Sequence, residues 1–575
     1  MGRDISLPLS CVIKEVFIMS KRDWFWFSGV WAFFATFTLI LLICSGFWVG
    51  LLKQPFHPTI LGIAGFLGIL VWVIVLLINT VQYYIQGKTD FNIFSSGISS
   101  ASANHISKEK RAALHPPVPA KYLSKEADGL ILGRKNGKYV RVPIQSNNIY
   151  HTLLLGAPGT GKSTGPLLST LIANFKKEQP SFTAFALDIK PELAKKSVDV
   201  VGNPNVKVFS PSAISEYSWD IYYELDQFST YDDVMDVIDQ IARSLIFASD
   251  EKNQFFADSA INIFNGLMFY CYQYYHYDFM KSMQWVISAN IPDAVKEALK
   301  NSKDTKYEVL VASKLSQYSG KQDATLNSII MVLNQNLGVF SNSKLEHNFS
   351  TQEKMVSPAD LDNHISVFIS LPERDLEQYS GILRLVVNQT IKFFESRGDK
   401  QRVEGERDST ILMLIDEFYR LGKMDNVVQG FATLRSRGIS ILVATQNMSQ
   451  LEEIYGQHGM KNILELCQVN VLLSAKDPNT VDIFSKMAGE YQETAVSVTK
   501  SGGILDTNSS SSTNTSKQYR PILTAQDFAD LAENKSLVAF INGKYMMLEK
   551  NNYYEDPSMN EYSEQVVERN KAYFS

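Results

Sequence analysis

The chain has 575 residues, 45% of them hydrophobic and 20% charged, with a formal net charge of −5. That length holds several domains, and that composition belongs to a folded protein rather than a disordered one. A net acidic chain is not a generally basic nucleic-acid binder, although a local basic channel inside an assembly stays open to it.

The first elements read as membrane spans. Residues 24–52 carry no charge, and 60–78 form a second apolar run of spanning length. The break between them holds Pro55 and Pro58, so the pair reads as a transmembrane hairpin within 1–88. Trp24, Trp26, Trp48, Tyr83 and Tyr84 fall near the span ends, where amphipathic rings favour the interface. Basic residues flank the hairpin on its outer sides (Arg3, Lys14, Lys21 and Arg22 before it; Lys88, Lys108, Lys110 and Arg111 after it), with only Lys53 between the spans. The positive-inside tendency then puts both termini in the cytoplasm. A cleaved signal peptide is the rival reading, but the first run is too long for one and a second span follows closely.

Residues 89–128 are rich in Ser, Ala, Asn and Pro and read as a juxtamembrane linker. A short β-like stretch follows over 129–142, with turn residues at Lys135, Asn136 and Gly137. Next comes an apolar run over 149–155 and then Gly156, Ala157, Pro158, Gly159, Thr160, Gly161, Lys162 and Ser163, a complete G-x-x-x-x-G-K-S phosphate loop with Thr164 beside it. A buried strand before the glycines and a helix after them are the context this motif needs. The glycines let successive N–H groups face a phosphate, and the helix start adds a favourable dipole. Lys162 is placed to reach the β- and γ-phosphates of ATP, and the Ser163 hydroxyl to ligate Mg²⁺. Gly165 and Pro166 fall in the first turns of that helix, where a proline distorts the ladder.

Further strands are expected at 182–188, 206–209, 365–371, 411–416, 439–445 and 469–474, as apolar runs without clean alternation. This predicts an α/β nucleotide-binding domain of the RecA-like P-loop NTPase type, with a parallel central sheet, over 129–221 and 346–560. Residues 222–345 are helical in pattern and read as an inserted all-α domain. Residues 501–517 read as a mobile Ser/Thr/Asn/Gly loop, and 561–575 as a C-terminal tail. Cys11, Cys44, Cys271 and Cys467 are scattered without a C-x-x-C pair, and the histidines lack metal-ligand spacing. No disulfide or zinc framework is expected.

The run 411–417 is an apolar strand ending in Asp416 and Glu417, the form of a Walker B element. Asp416 is expected to hold the Mg²⁺ shell, and Glu417 to orient or deprotonate the attacking water. Gln446, at the end of the next strand, is the candidate sensor of the γ-phosphate. Arg435 and Arg437 precede that strand. Arg435 is the better candidate for a guanidinium supplied across a subunit boundary; solvated surface or contact with DNA phosphates is the alternative for both.

In this order the motifs resemble the VirD4/TraG type IV coupling proteins. The likeness includes Leu187 to Leu193 in sequence, similar to D-P-K-G-E-L, and Asp416, Glu417, Phe418, Leu421, Gly422 and Lys423, similar to D-E-F-x-x-L-G-K. It continues through Leu434 to Ile439, Gln446, Tyr455 and Gly456, to the Tyr553, Tyr554, Glu555, Asp556 and Pro557 run. Ile189 and Pro191 depart from the D-P-K-G pattern, so Asp188 and Lys190 receive no assigned role. The resemblance implies a homo-hexameric ATPase at the bacterial inner membrane, which delivers a DNA–relaxase complex into a type IV secretion channel. It also implies substrate recruitment through the helical insert. The same family delivers protein effectors, which is the alternative reading. A chromosome-partitioning pump would carry a large DNA-reading domain, and no ABC-transporter signature separates the two nucleotide motifs.

Overall fold

A computed structural model describes residues 113–145, 148–225, 230–248, 253–303, 307–320, 323–397, 410–501 and 510–574. The spans expected at 24–52 and 60–78, their orientation and most of the linker lie outside the described residues. Among the described residues no helix is long and apolar enough to cross a membrane.

Three short strands open the described chain: β1 (Leu123–Ser124), β2 (Leu130–Lys135) and β3 (Lys138–Val142). β4 (Thr152–Leu155), β5 (Thr183–Asp188) and β6 (Val206–Phe209) follow. Two dipeptide strands, β7 (Ser218–Trp219) and β8 (Met355–Val356), pair in parallel across a long helical stretch. Then come β9 (Ser366–Ser370), β10 (Ile411–Ile415), β11 (Ile439–Thr445) and β12 (Val469–Leu472). The last are a ribbon, β13 (Glu490–Ser501) with β14 (Ser510–Pro521), and a hairpin, β15 (Ser536–Ile541) with β16 (Lys544–Glu549).

One 12-stranded sheet runs in the order β1-β3-β2-β16-β15-β12-β4-β11-β10-β5-β9-β6. From β12 to β6 every neighbouring pair is parallel. Those strands are mostly apolar because helices cover both faces. Their alternate residues feed two separate cores. Leu153, Leu187, Met413, Ile415 and Val443 enter one, while Leu154, Ala186, Leu412, Leu414 and Ala444 enter the other. The antiparallel strands β15, β16, β2 and β3 extend the sheet on the β12 side.

The first core continues into the helices between β7 and β8, among them Tyr231–Leu245, Gln254–Tyr270, Ile291–Asn301 and Ala324–Leu337. Several start at a polar cap: Thr230, Asp278, Asn290, Asp323 and Asn342 each accept an N–H from the first turn. Among the described residues of 222–345 there is no strand. Both described cysteines, Cys271 and Cys467, are free and buried.

One local expectation is corrected, and two other segments gain local structure. Residues 510–517, expected as part of a mobile loop, are paired strand: β14 runs against β13 in unbroken register from Glu490↔Pro521 to Ser501↔Ser510. Serine and threonine resemble loop composition, yet a hairpin needs only backbone partners and tolerates both. The end of the expected linker is anchored, with Leu123↔Val140 paired and Tyr122 buried. The expected tail is the rest of the helix Pro557–Arg569 and a capping turn. Ser563 Oγ donates to the Lys196 carbonyl, and Asn570 Nδ2 to the Val198 carbonyl.

Candidate nucleotide site

β4, flanked by β12 and β11 in the interior of the 12-stranded sheet, delivers the phosphate loop. The Gly156 amide donates to the Thr445 carbonyl of β11 at 3.2 Å, which fixes the start of the loop. A side chain at Gly156 would collide with Thr160 Oγ1 at 2.6 Å. Gly159 and Gly161 take φ values of +77° and +94°, in the region that favours glycine. Ala157, Pro158 and Gly159 form an exposed crest above this frame.

Pro166 gives the following helix an unusual start. It has no N–H for the Lys162 carbonyl, so Leu167 donates there instead at 3.4 Å. Residues Ser163–Leu167 form a π turn, and the regular helix Leu168–Phe175 follows. The expected distortion is therefore a widened turn that begins at Ser163 itself.

Lys162 is 7% exposed; its Nζ donates to the Gly156 carbonyl at 2.7 Å and lies 3.8 Å from Glu417 Oε1. Burial lowers its pKa, and the charges of Glu417 and Asp416 oppose that shift. This contact joins the loop to the end of β10. Asp416 is 4% exposed, and burial with the neighbouring Glu417 charge pushes its carboxyl up to about 6. Glu417 sits at φ +53°, a left-handed conformation that costs a non-glycine residue on the order of 1–3 kcal/mol and turns up mainly at functional sites. Its amide donates to Asp416 Oδ1 at 3.0 Å.

The donor set suits a magnesium nucleotide. Among the described residues no cluster of three or more His, Cys, Asp or Glu forms a metal cage. Mg²⁺ held by one carboxylate, one hydroxyl and phosphate oxygens needs none. Asp416 and Ser163 can supply those two ligands, and the glycine frame with Lys162 can supply the phosphate cradle.

Gln446 directly follows β11, whose last residue Thr445 pairs with Leu155 ahead of the loop. Its amide and the Thr445 hydroxyl both donate to Gln450 Oε1, at 3.1 and 2.9 Å. Gln450, which sequence reasoning missed, thus fixes the strand end; its only signal is the i+4 spacing into a helix capped by Asn447. Arg435 is not brought to the loop. β11 has seven residues, about 20 Å at the usual rise, and Arg435 precedes its far end. Arg435 is exposed, whereas Arg437 donates to the Arg397 and Thr433 carbonyls at 2.9 and 2.8 Å. The two arginines are therefore unequal: Arg437 is tied to backbone carbonyls, and Arg435 is the more exposed.

Asp188 has a structural task. It accepts amides from Glu192, Leu193 and Ala194 at 3.1, 2.8 and 3.3 Å and so caps the helix Leu193–Ser197. Full burial pushes its carboxyl up to about 7 despite those bonds. Lys190, two residues on, is exposed and near enough to influence both Lys162 and Asp416. His151 is a core residue: its Nδ1 accepts the Ile441 amide at 3.0 Å, and burial lowers its pKa to about 4.

Fold and site together define an α/β nucleotide-binding protein built on a phosphate loop. Residues 99–574 match the family described as Type IV secretory system Conjugative DNA transfer, and the chain belongs to that family. The resemblance to VirD4 and TraG coupling proteins stands. VirD4 of Agrobacterium fabrum is 27% identical over 193 residues, covering 33% of this chain and 27% of that protein. The conjugal transfer protein TraG of Rhizobium radiobacter is 24% identical over 178 residues, covering 31% and 27%. The aligned stretch thus spans about a quarter of these relatives' length. Among solved structures, the coupling protein TrwB in its unbound form superposes with a TM-score of 0.55 over 79% of this chain and 95% of that one. TrwB has also been solved with a non-hydrolysable ATP analogue and with ADP and Mg²⁺. At 15% identity the likeness is one of fold.

Proposed function

We propose that this chain is a membrane-anchored ATPase that couples a DNA–relaxase complex to a type IV secretion channel and drives its transfer by hydrolysing ATP. The observation that carries the reading is the approach of Lys162, at the end of the phosphate loop, to Glu417, at the end of β10, within 3.8 Å.

In this reading the loop amides from Gly156 to Thr164 and the Lys162 ammonium bind the phosphates. Ser163 and Asp416 hold Mg²⁺, which neutralises charge on the phosphate oxygens when bound. Glu417 orients a water for in-line attack and takes its proton. Gln446, held by its neighbour Gln450, contacts that water or the γ-phosphate. Arg435 acts on the site of the next subunit, a role consistent with its outward position at the far end of β11. Sites shared in this way call for a closed ring, here a homo-hexamer.

The parallel sheet with its helical stretch at 222–345 supports a RecA-like motor core carrying an all-α recruitment domain. In this reading the spans expected at 24–52 and 60–78 anchor that motor on the cytoplasmic face of the plasma membrane. The family's description favours DNA over protein effectors as cargo. The reading is tested by ATP hydrolysis of the full-length protein in detergent: activity is expected with Mg²⁺ and lost in Lys162→Ala. Equal hydrolysis by that variant would overturn the site.

A further inference from the structure

The Tyr553, Tyr554, Glu555, Asp556 and Pro557 run carries part of the family likeness but no nucleotide chemistry. Its place in the fold shows what it supports. β16 ends at Glu549, and the three residues that follow lie along the outer side of the phosphate loop. Lys550 Nζ donates to the Thr160 carbonyl at 2.8 Å. The Thr164 hydroxyl donates to Asn552 Oδ1 at 3.1 Å. The Ser169 hydroxyl donates to the Asn551 carbonyl at 3.0 Å, and the Asn551 side-chain amide returns a bond to Ser169 Oγ. Asn551 and Asn552 are buried, and Lys550 is half-buried.

Gly161 leaves room for this approach: a Cβ there would come within 3.2 Å of Asn552 Oδ1. The motif itself is the anchor. The Asp556 carboxylate bonds to Arg134 of β2 and Tyr139 of β3. It also accepts the Ser558 and Met559 amides, capping the helix Pro557–Arg569. Glu555 pairs with Lys535 at 3.1 Å. One fixed point therefore ties the segment 550–552 to the antiparallel edge of the sheet and to the loop.

Thr160 and Thr164 both lie in the stretch whose amides are read as facing a phosphate. Such a cradle binds well only if its shape is set in advance, because ordering a free loop costs affinity. We propose that Lys550 and Asn552 are positioning residues of the nucleotide site, clamping the two ends of the 160–164 turn in the geometry that receives a nucleoside triphosphate. This rests on the reading of the loop as the ATP site. The clamp acts equally before and during reaction, so its loss raises KM and spares kcat.

The test uses full-length protein in detergent with a fluorescent ATP analogue for binding and ATP for kinetics, on Lys550→Met, Lys550→Arg and Asn552→Ala. Lys550→Met and Asn552→Ala are expected to weaken nucleotide binding about 5- to 20-fold, as for loss of one or two hydrogen bonds. Their kcat stays within about twofold of wild type, and the melting temperature without nucleotide is unchanged. Lys550→Arg, which keeps the donors, recovers most of the affinity. Wild-type affinity in both variants overturns the proposal. So does a loss of affinity that only tracks a fall in melting temperature, since that marks a merely structural contact. Lys162→Ala runs alongside: if it hydrolyses ATP normally, the ATP-site reading has failed, and not the clamp alone.

Discussion

Lys162 and Glu417 meet at 3.8 Å with both side chains largely buried, so each depends on the other's charge. Replacing Lys162 by Ala removes the proposed phosphate contact and leaves Glu417 beside Asp416 without its cation. Hydrolysis is expected to fall at least about 100-fold, read by phosphate release. Glu417→Gln keeps the shape and loses the carboxylate proposed as the base. It should bind ATP at near wild-type affinity while turnover falls about 10²- to 10⁴-fold, the usual worth of a general base. Asp416 adds a pH signature. Its carboxyl is raised to about 6 by burial and by the Glu417 charge, so it is mostly ionised at pH 7 and takes up a proton as the pH falls through 6. A protonated acid is a poor magnesium ligand. The Mg²⁺-dependent part of nucleotide affinity should therefore weaken as the pH falls from about 7 to about 5, and titration calorimetry with an ATP analogue would follow it. A flat profile would remove Asp416 from the metal shell.

At the scale of elements, what the sequence revealed follows from how each element is stabilised. β4, β5, β9, β10 and β11 are short apolar runs because both their faces are covered, and that pattern is legible without a structure. The phosphate loop is legible because glycine spacing and a lysine have few other uses. Gly456 breaks the helix Met448–Leu466 at φ +68°, and the Tyr455 hydroxyl accepts the Met424 amide. Both explain residues first noticed only as family likeness. The ribbon was hidden by its Ser- and Thr-rich composition, since the ladder that pairs its strands is a backbone one. The 550–552 clamp was hidden for another reason: Lys550 and Thr160 are 390 positions apart, and lysine and asparagine carry no signature of such a contact. The ribbon also yields a prediction. β13 and β14 pair only with each other, outside the main sheet. Replacing residues 494–517 by a short glycine turn should leave the melting temperature within about 2 °C and basal hydrolysis intact. A larger drop would mean that the ribbon supports the core.

At the scale of the whole molecule, the proposed role of Arg435 across a subunit boundary would leave each site incomplete without a neighbour, since the length of β11 separates this residue from its own loop. Lys162→Ala and Arg435→Ala should each be inactive alone. Mixed in equal amounts and allowed to exchange subunits, they should recover about a quarter of wild-type hydrolysis, because that share of random interfaces holds both wild-type residues. No recovery would place Arg435 outside the site and return it to the surface or to DNA contact. The chain's acidic balance of −5 argues against a generally basic DNA-binding surface and leaves room for a local basic channel. The most direct measurement is ATP hydrolysis by the full-length protein with and without single- and double-stranded DNA, over a range of salt, beside Lys162→Ala. A DNA-translocating coupling protein predicts strong stimulation that falls steeply as salt rises and is absent from the variant. Hydrolysis that ignores DNA at every salt concentration would contradict it and point instead to delivery of protein effectors.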